Sequence, residues 1–413
     1  MKRRVVITGM GAVTPIGNNV DEYWNSIKEG KLGIDFIKNI DTESLDVKIA
    51  GEVKNFNPET VINKKECRRL DRFMQFALVA ADEAVKSSGI NLDEIDREQF
   101  GVYVGSGIGG LGSMEKEIEK SANSVKKRVS PFFIPMAIIN LSAGNIAIKY
   151  GAKGPCTSMV TACSTGNNNI GEAYRLIKDG YADVMLAGSA EAPITHVGLG
   201  GFSSMKTLNH TLDPKRASIP FDKERSGFVM GEGGAVLVLE EAESAMKRGA
   251  NILAEIIGYG NTCDAHHITA PDPEAKGAIK AMRDAIKDAN IDLKEVSYIN
   301  AHGTSTALND KCETLAIKEV FGDYAYNIPV SSTKSMTGHL LGGSGSIEAV
   351  ACIKALQEGF IPATIGLKEK DEELDLDYVP NVGRKADLKY VLSNSLGFGG
   401  HNAVLVFKRW ENK

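Results

Sequence analysis

One cysteine and two histidines stand among neighbours that suit chemistry better than packing. Cys163 lies in VTACSTGNNNIG, Val160 to Gly171, where a small apolar approach meets a run of poor helix formers and then the helix-like EAYRLIKDG. A thiol reacts as its thiolate. The unpaired N–H groups and dipole of a helix N-terminus favour that form. The small residues after Cys163 allow a sharp turn, as at a nucleophile elbow. A buried structural thiol is the plain alternative, and position alone leaves both open. His302 stands in NAHGTST after the strand-like VSYI, and His339 in KSMTGHLLGGSG after IPVSST. Strand ends are where α/β proteins build sites, and the flanking glycines permit close approach of a substrate. Lys334 and Glu348 lie near the second histidine; read plainly, they cap a turn and a helix. The glycines of SNSLGFGGHN, residues 393–402, either expose N–H groups for an oxyanion hole or make a tight turn. The other histidines have weaker settings, and His266–His267 reads as a surface or pocket-rim feature.

Short β-branched runs alternate with helical stretches along the chain. Strands are predicted at 3–9, 100–107, 182–189, 233–241, 252–260, 296–303, 328–333, 390–397 and 402–409. Helices are predicted at 64–88, 166–179, 241–249, 274–289, 310–320 and 344–358. The alternation argues for an α/β protein with buried, largely parallel sheets. GEGGAVLVLEE (Gly231–Glu241) echoes GFGGHNAVLVFKR (Gly397–Arg409). Two halves, 1–250 and 251–413, each ending in the same kind of strand, explain the echo; a coincidental Gly-rich turn is the alternative. No Pro/Ser linker divides the halves, so they are expected to pack as one body.

The 413 residues suffice for a large core, with 43% hydrophobic and 24% charged residues. A net charge of −5 argues against a chain built to bind nucleic acid or anionic membrane. The start, MKRRVVITGMGAVTP, reads as a strand and turn rather than a secretory signal. No apolar run reaches membrane-spanning length. Six scattered cysteines without a CxxC fit reduced thiols in the cytoplasm.

Taken together, TACSTGNNNIG, NAHGTSTALND, SSTKSMTGHLLGGSGSIEA and NSLGFGGHN resemble the signature blocks of the β-ketoacyl-[acyl carrier protein] synthases, closest to their elongating members. The likeness runs from RRVVITGMGAVTPIGN to the final strand and includes PFDKERSGFVMGEGGAVLVLEE. It implies a thiolase-like α/β fold: two pseudo-duplicated halves forming a five-layered αβαβα core, in a homodimer. It implies decarboxylative condensation with malonyl thioester. Carried over, Cys163 is the acyl-accepting nucleophile, and His302 and His339 assist decarboxylation. Lys334 is the lysine beside the second histidine. Phe398 is the gating residue whose N–H joins that of Cys163 in the oxyanion hole. Thr304 and Thr306 contact phosphopantetheine. Ile108 and Phe202 match acyl-pocket positions, and Phe133 and Ile134 lie in a segment that reaches the partner's pocket across the dimer; all four also read as ordinary core residues. No cofactor is implied, because phosphopantetheine arrives on the carrier protein. That partner is acidic, so its dock should be basic. Lys64, Lys65, Arg68, Arg69 and Arg72 have the spacing of one helical stripe, which Lys126, Lys127, Arg128 and Lys206 extend; a solvated helix face is the alternative.

This chain departs from the pattern in two places: Leu396 stands where phenylalanine is frequent, and His401 where threonine is often found. Initiating synthases carry Asn in place of His339, thiolases a late second cysteine, and chain-length factors no nucleophile. The readings carried forward are fatty acid elongation, a ketosynthase of a specialised polyketide pathway, a Cys–His thioester hydrolase, and a non-catalytic partner of a polyketide assembly.

Overall fold

The structure, a computed structural model, describes residues 3–123 and 128–411. Among these, ten strands make one mixed sheet. They are β1 (Val5–Val13), β2 (Phe100–Gly105), β3 (Cys156–Thr157), β4 (Val184–Glu191), β5 (Gly233–Glu241), β6 (Ala254–Cys263), β7 (Val296–Asn300), β8 (Val330–Ser331), β9 (Tyr390–Gly397) and β10 (His401–Arg409). The order is β8-β7-β9-β10-β6-β1-β5-β4-β2-β3. Read outward from the β1–β6 junction, both sides follow one plan. Each has an antiparallel pair of steps (β1-β5-β4 and β6-β10-β9) and then a parallel pair (β4-β2-β3 and β9-β7-β8). The expected largely parallel sheet is therefore corrected. The wings are parallel, and the middle is antiparallel because β5 and β10 return along their neighbours.

The helices of the remaining layers include α1 (Arg72–Ser88), α2 (Thr165–Lys178), α3 (Lys276–Ala289), α4 (Ala307–Phe321) and α5 (Ser344–Glu358), with Leu141–Tyr150 beside α1. Helix α1 covers the outer face of β1, β5 and β4, and α3 covers β6 and β10 with α4 beside it. Helices α2 and α5 lie between the half-sheets and touch both. Strand alternation serves this sandwich. Leu237 and Leu239 of β5 join the central core while Val236 and Val238 join the core under α1. On β10, Leu405 and Phe407 face the centre, and Val404 and Val406 face α3. Both faces are buried, which is why these strands read as nearly continuous apolar runs.

A second echo, unread in the sequence, sits where the outer helices dock. A Cβ on Gly9 or Gly11 of β1 would lie 2.1 or 1.9 Å from the carbonyl oxygens of Ala84 and Ala80 on α1. On Gly258 or Gly260 of β6 it would lie 2.3 or 2.0 Å from those of Ala285 and Ala281 on α3. TGMG and IGYG are thus equivalent dockings of helix on strand. The helix predicted over 64–88 is instead two pieces, Lys64–Cys67 and α1. Asp71 breaks it by capping α1 at the Phe73 N–H while also accepting from the N–H and hydroxyl of Ser113. The basic residues of this region consequently share no single helical face.

Gly11→Ala and Gly260→Ala are each expected to cost about 1–3 kcal/mol through overpacking, read as an earlier urea midpoint. Gly200→Ala, on a helix with nothing within 4 Å of the new methyl, should leave the midpoint unchanged or later. Equal midpoints for all three would contradict the close docking.

Candidate active site

The turn that presents Cys163 is strained. Ala162 has φ 49°, the left-handed region that a residue with a Cβ rarely adopts. A short 3₁₀ turn, Ala162–Ser164, then runs into α2. The hydroxyl of Ser164 donates to the carbonyls of Ser395 (3.0 Å) and His401 (2.7 Å), which ties the turn to the GFGG segment. Cys163 thereby faces a cavity of about 400 Å³ that is also lined by Phe202, His302, Thr304, Thr306, His339 and Phe398. The Phe398 N–H donates toward the Cys163 sulfur.

His302 follows β7. Its own N–H and that of Gly303 donate to the Glu313 carboxylate on α4, both at 2.8 Å, and Asn394 of β9 donates to the same group at 3.1 Å. Burial pushes the Glu313 carboxyl up to about 7 against those hydrogen bonds. His339 is held through its main chain, donating to the Val229 carbonyl (2.7 Å) and accepting from Gly231 N–H (2.8 Å). Its Nδ1 lies 2.9 Å from the Ser344 hydroxyl. The two imidazoles meet edge to face with ring centroids 5.2 Å apart, and Phe228 also meets His339 edge to face.

Behind the imidazoles lies an ion pair between Lys334 and Glu348, each 1% exposed. Its ammonium moves its neighbours toward their deprotonated forms. Burial, and then the Lys334 charge, hold both imidazoles well below the usual histidine range, and His339 adds to this for His302. Both rings are therefore neutral. Burial pushes the Cys163 thiol up to about 12; Lys334 and the Phe398 N–H pull the other way, and Glu191 adds to the rise. The helix end alone therefore does not make this cysteine a thiolate. Desolvation of the charged form outweighs the helix end and the ammonium together, so the resting group is a thiol.

The other predicted positions divide. Lys206 lines the cavity along with Thr304 and Thr306, whose hydroxyls lie 2.9 Å apart. Ile108 packs in the cluster of Cys163 and Phe202 but does not line the cavity. Phe133 is half-buried and Ile134 is 59% exposed on the short helix Phe133–Ala137; neither lines this chain's own cavity. Lys64, Lys65, Arg68, Arg69 and Arg128 are exposed, with Arg69 stacked on Phe132. Arg72 leaves the predicted stripe, because it forms a bidentate pair with Glu232 at 2.7 and 2.9 Å. Lys126 and Lys127 fall outside the described residues. Leu396 lines the cavity wall.

The three asparagines after Cys163 have separate tasks. Asn167 donates to the carbonyls of Ser393 and Ala403. Asn168 donates to the Thr161 hydroxyl and accepts from Tyr259. Asn169 brackets Met159, accepting from its N–H and donating to its carbonyl. Ser344 and Glu313 were not singled out from the sequence. Their only signal is distance: Ser344 opens the helix five residues after His339, and Glu313 stands on α4 eleven residues after His302.

The neutral imidazoles are open to a direct test. NMR of histidine-labelled protein is expected to show no titration of His302 or His339 between pH 8 and pH 6. A midpoint near 6.5 for either ring would contradict the burial argument.

The Beta-ketoacyl synthase N-terminal domain family matches residues 2–245, and the Beta-ketoacyl synthase C-terminal domain family matches 253–368. The chain is 52% identical over 409 residues to the 3-oxoacyl-[acyl-carrier-protein] synthase 2 of Staphylococcus aureus (strain COL), covering 99% of each chain. It is 50% identical over 411 residues to that of Synechocystis sp., again covering 99% of each. Its fold superposes on a type II PKS ketosynthase solved in complex with its acyl-carrier protein and bound to the hexaketide (TM-score 0.92, 34% identity, 100% of each chain). It also superposes on a β-ketoacyl synthase from Burkholderia phymatum STM815 (TM-score 0.91, 34% identity, 99% of this chain and 100% of that one). With a thiolase-like fold and family matches spanning most of its length, the chain belongs to the β-ketoacyl synthase family.

Proposed function

We propose that this chain condenses an acyl group held on Cys163 with malonyl-[acyl carrier protein], releasing CO2 and 3-oxoacyl-[acyl carrier protein] two carbons longer, in fatty acid elongation. The observation that carries the reading is one cavity bounded by a thiol, two neutral imidazoles and a backbone N–H, with a buried ammonium behind. Loading is thiol exchange: the Cys163 sulfur takes the acyl group and the carrier thiol leaves with the proton. No net charge enters the buried site, which suits a cysteine resting as a thiol. The malonyl carboxylate then leaves as CO2, and its C–C electrons pass into an enolate. Neutral imidazoles stabilise that oxygen as N–H donors. Ser344 holds His339 Nδ1, so Nε2 is the nitrogen left for the cavity. The enolate carbon attacks the acyl carbonyl while the N–H groups of Phe398 and Cys163 receive the oxyanion. The Cys163 sulfur departs and takes up one proton. The new C–C bond draws its electrons from the one that breaks, so no oxidant or reductant enters.

A Cys–His hydrolase orients its imidazole with an Asn or Asp. Here Nδ1 of His339 meets a serine, and that of His302 is buried without a partner among the described residues. Specialised polyketide synthesis is disfavoured by the higher identity to the synthase 2 enzymes than to the polyketide ketosynthase.

In this reading the first half, 1–250, supplies the nucleophile and the second, 251–413, both imidazoles. Lys64, Lys65, Arg68, Arg69, Lys126, Lys127, Arg128 and Lys206 are the candidate dock for an acidic carrier protein. The edge strand β3 is exposed, and so are Ile148 (80%) on the helix packed beside it, Val160 and Ile134. An open edge beside apolar surface suits a second copy of the chain, which would bring Phe133 and Ile134 to the partner's pocket. Among the described residues no helix is long and apolar enough to cross a membrane; the expected compartment is the cytoplasm.

Supplied with acyl and malonyl carrier protein, the enzyme is expected to release CO2 and 3-oxoacyl product in equal amounts. Cys163→Ala should abolish the product. His302→Ala and His339→Ala should each slow CO2 release by about 10²–10³-fold, the scale for losing one oxyanion donor. Acyl loss to water without condensation, or normal turnover by Cys163→Ala, would overturn the assignment.

A further inference from the structure

The duplication leaves a second turn equivalent to the one that carries Cys163. It is Leu341–Gly343, which opens the other central helix, α5. Leu341 has φ 47°, matching Ala162 at 49°. Four residues further on, Gly345 and Gly166 mark the crossing of the two central helices: a Cβ on Gly166 would lie 2.5 Å from Ser346 N, and one on Gly345 would lie 2.8 Å from Asn167 N. By this register Gly342 stands where Cys163 stands in the first half.

The Cys163 turn faces a cavity that admits a substrate. The Gly342 turn faces a buried carboxylate. Glu191, at the end of β4, is fully buried with no basic side chain paired to it among the described residues. It accepts from Ser106 Oγ (2.5 Å), Gly107 N–H (2.6 Å), Ile108 N–H (3.0 Å) and Gly342 N–H (3.0 Å). The fit leaves no slack. A Cβ on Gly342 would lie 2.4 Å from Gly107 N and 2.6 Å from Glu191 Oε2, and one on Gly107 would lie 2.7 Å from the same oxygen. Three backbone donors and a hydroxyl around one negative charge form an anion cradle, occupied by the protein's own side chain.

The two segments joined by this carboxylate both serve the site. Ser106–Ile108 carries Ile108 into the cluster of Cys163 and Phe202. Leu341 lines the cavity two residues after His339, and the turn leads to Ser344, which holds His339 Nδ1. We propose that Glu191 is a positioning residue: a built-in anion at the twin of the nucleophile turn that locks the Ile108 segment against the His339 turn. It touches no substrate and holds the site through the segments it joins, besides the rise its charge adds to the Cys163 thiol. Without it, inward-pointing N–H groups are left unpaired and the two segments part, so both the acyl wall and the imidazole lose their setting.

Glu191→Ala tests this, because acetate supplies the four heavy atoms removed. The activity arm rests on the condensation reading above; a second arm, thermal unfolding, does not. The variant is expected to fold and to form 3-oxoacyl product about tenfold more slowly or worse, the scale of leaving buried donors unpaired. Acetate should restore the rate saturably, whereas acetamide, and chloride at equal ionic strength, should not. Acetate should also raise the variant's melting temperature more than the wild type's. Gly342→Ala, which drives the segments apart with the carboxylate in place, should be slow and indifferent to acetate. A Glu191→Ala rate within twofold of wild type, or acetate no better than acetamide in both arms, would overturn the proposal. Should that variant fail to fold, Ser106→Ala removes one donor only, and an unchanged rate would overturn it equally. A wild-type enzyme that fails to condense would sink the condensation reading, and the melting arm would still decide the cradle.

Discussion

The site depends on one buried ion pair. Taking Lys334 and Glu348 out of water carries a heavy desolvation cost, and removing either partner alone leaves an uncompensated charge in the core. Such a pair contributes little to stability compared with well-packed apolar side chains, so its value here lies in what the ammonium does to its neighbours. It sits among three groups that must hold particular protonation states. Beside a cation, an imidazole resists a second positive charge and a thiol gives up its proton more readily. Those are the states of two hydrogen-bond donors and a departing sulfur. Burial alone would keep the histidines neutral but would oppose every ionised form of the cysteine. The ammonium moves both kinds of group toward the deprotonated form, which leaves an imidazole neutral and a sulfur better able to depart.

The ion pair also reports how the fold delivers its parts. Glu348 lies on α5, inside the sandwich, and Lys334 on the segment after β8 at one wing of the sheet. Cys163 comes from the other half, at the head of α2. Two copies of one topology, set about the β1–β6 junction, bring the heads of α2 and α5 to the same region. The copies then diverge in use. One turn carries the thiol beside open space, and the other carries Gly342 with its donor turned to a carboxylate.

The blocks around Cys163, His302, His339 and Phe398 were legible because each is a dense run of glycine and small polar residues at a strand end. Their meeting in one cavity agrees with that reading. The fold class was legible from alternating elements, but the strand directions were not: apolar runs buried on both faces look alike whether neighbours run parallel or antiparallel. The helix over 64–88 was misread because periodicity carries through a capping aspartate. Asp71 ends one helix and starts another without breaking the apolar spacing. Arg72 was misplaced for the same reason, its partner Glu232 lying 160 residues away. The resting state of Cys163 was not legible because a sequence shows a helix start but not how dry its surroundings are.

Dryness also explains the three asparagines. Consecutive residues on a helix point about 100° apart. On a surface helix one such direction faces the core and the others face water, so three buried amides in a row would be wasted. The first turns of α2, Thr165–Gly171, have no water side. Asn167 points to β9 and β10, Asn168 to Tyr259 of β6 and to Thr161, and Asn169 to Met159 just before the cysteine turn. Apolar contacts would fill the same space but would let the helix turn about its axis at little cost, since they are non-directional. Amide hydrogen bonds in three directions fix that rotation. Because Cys163 sits at the head of this helix, the aim of the sulfur is set by the residues that follow it.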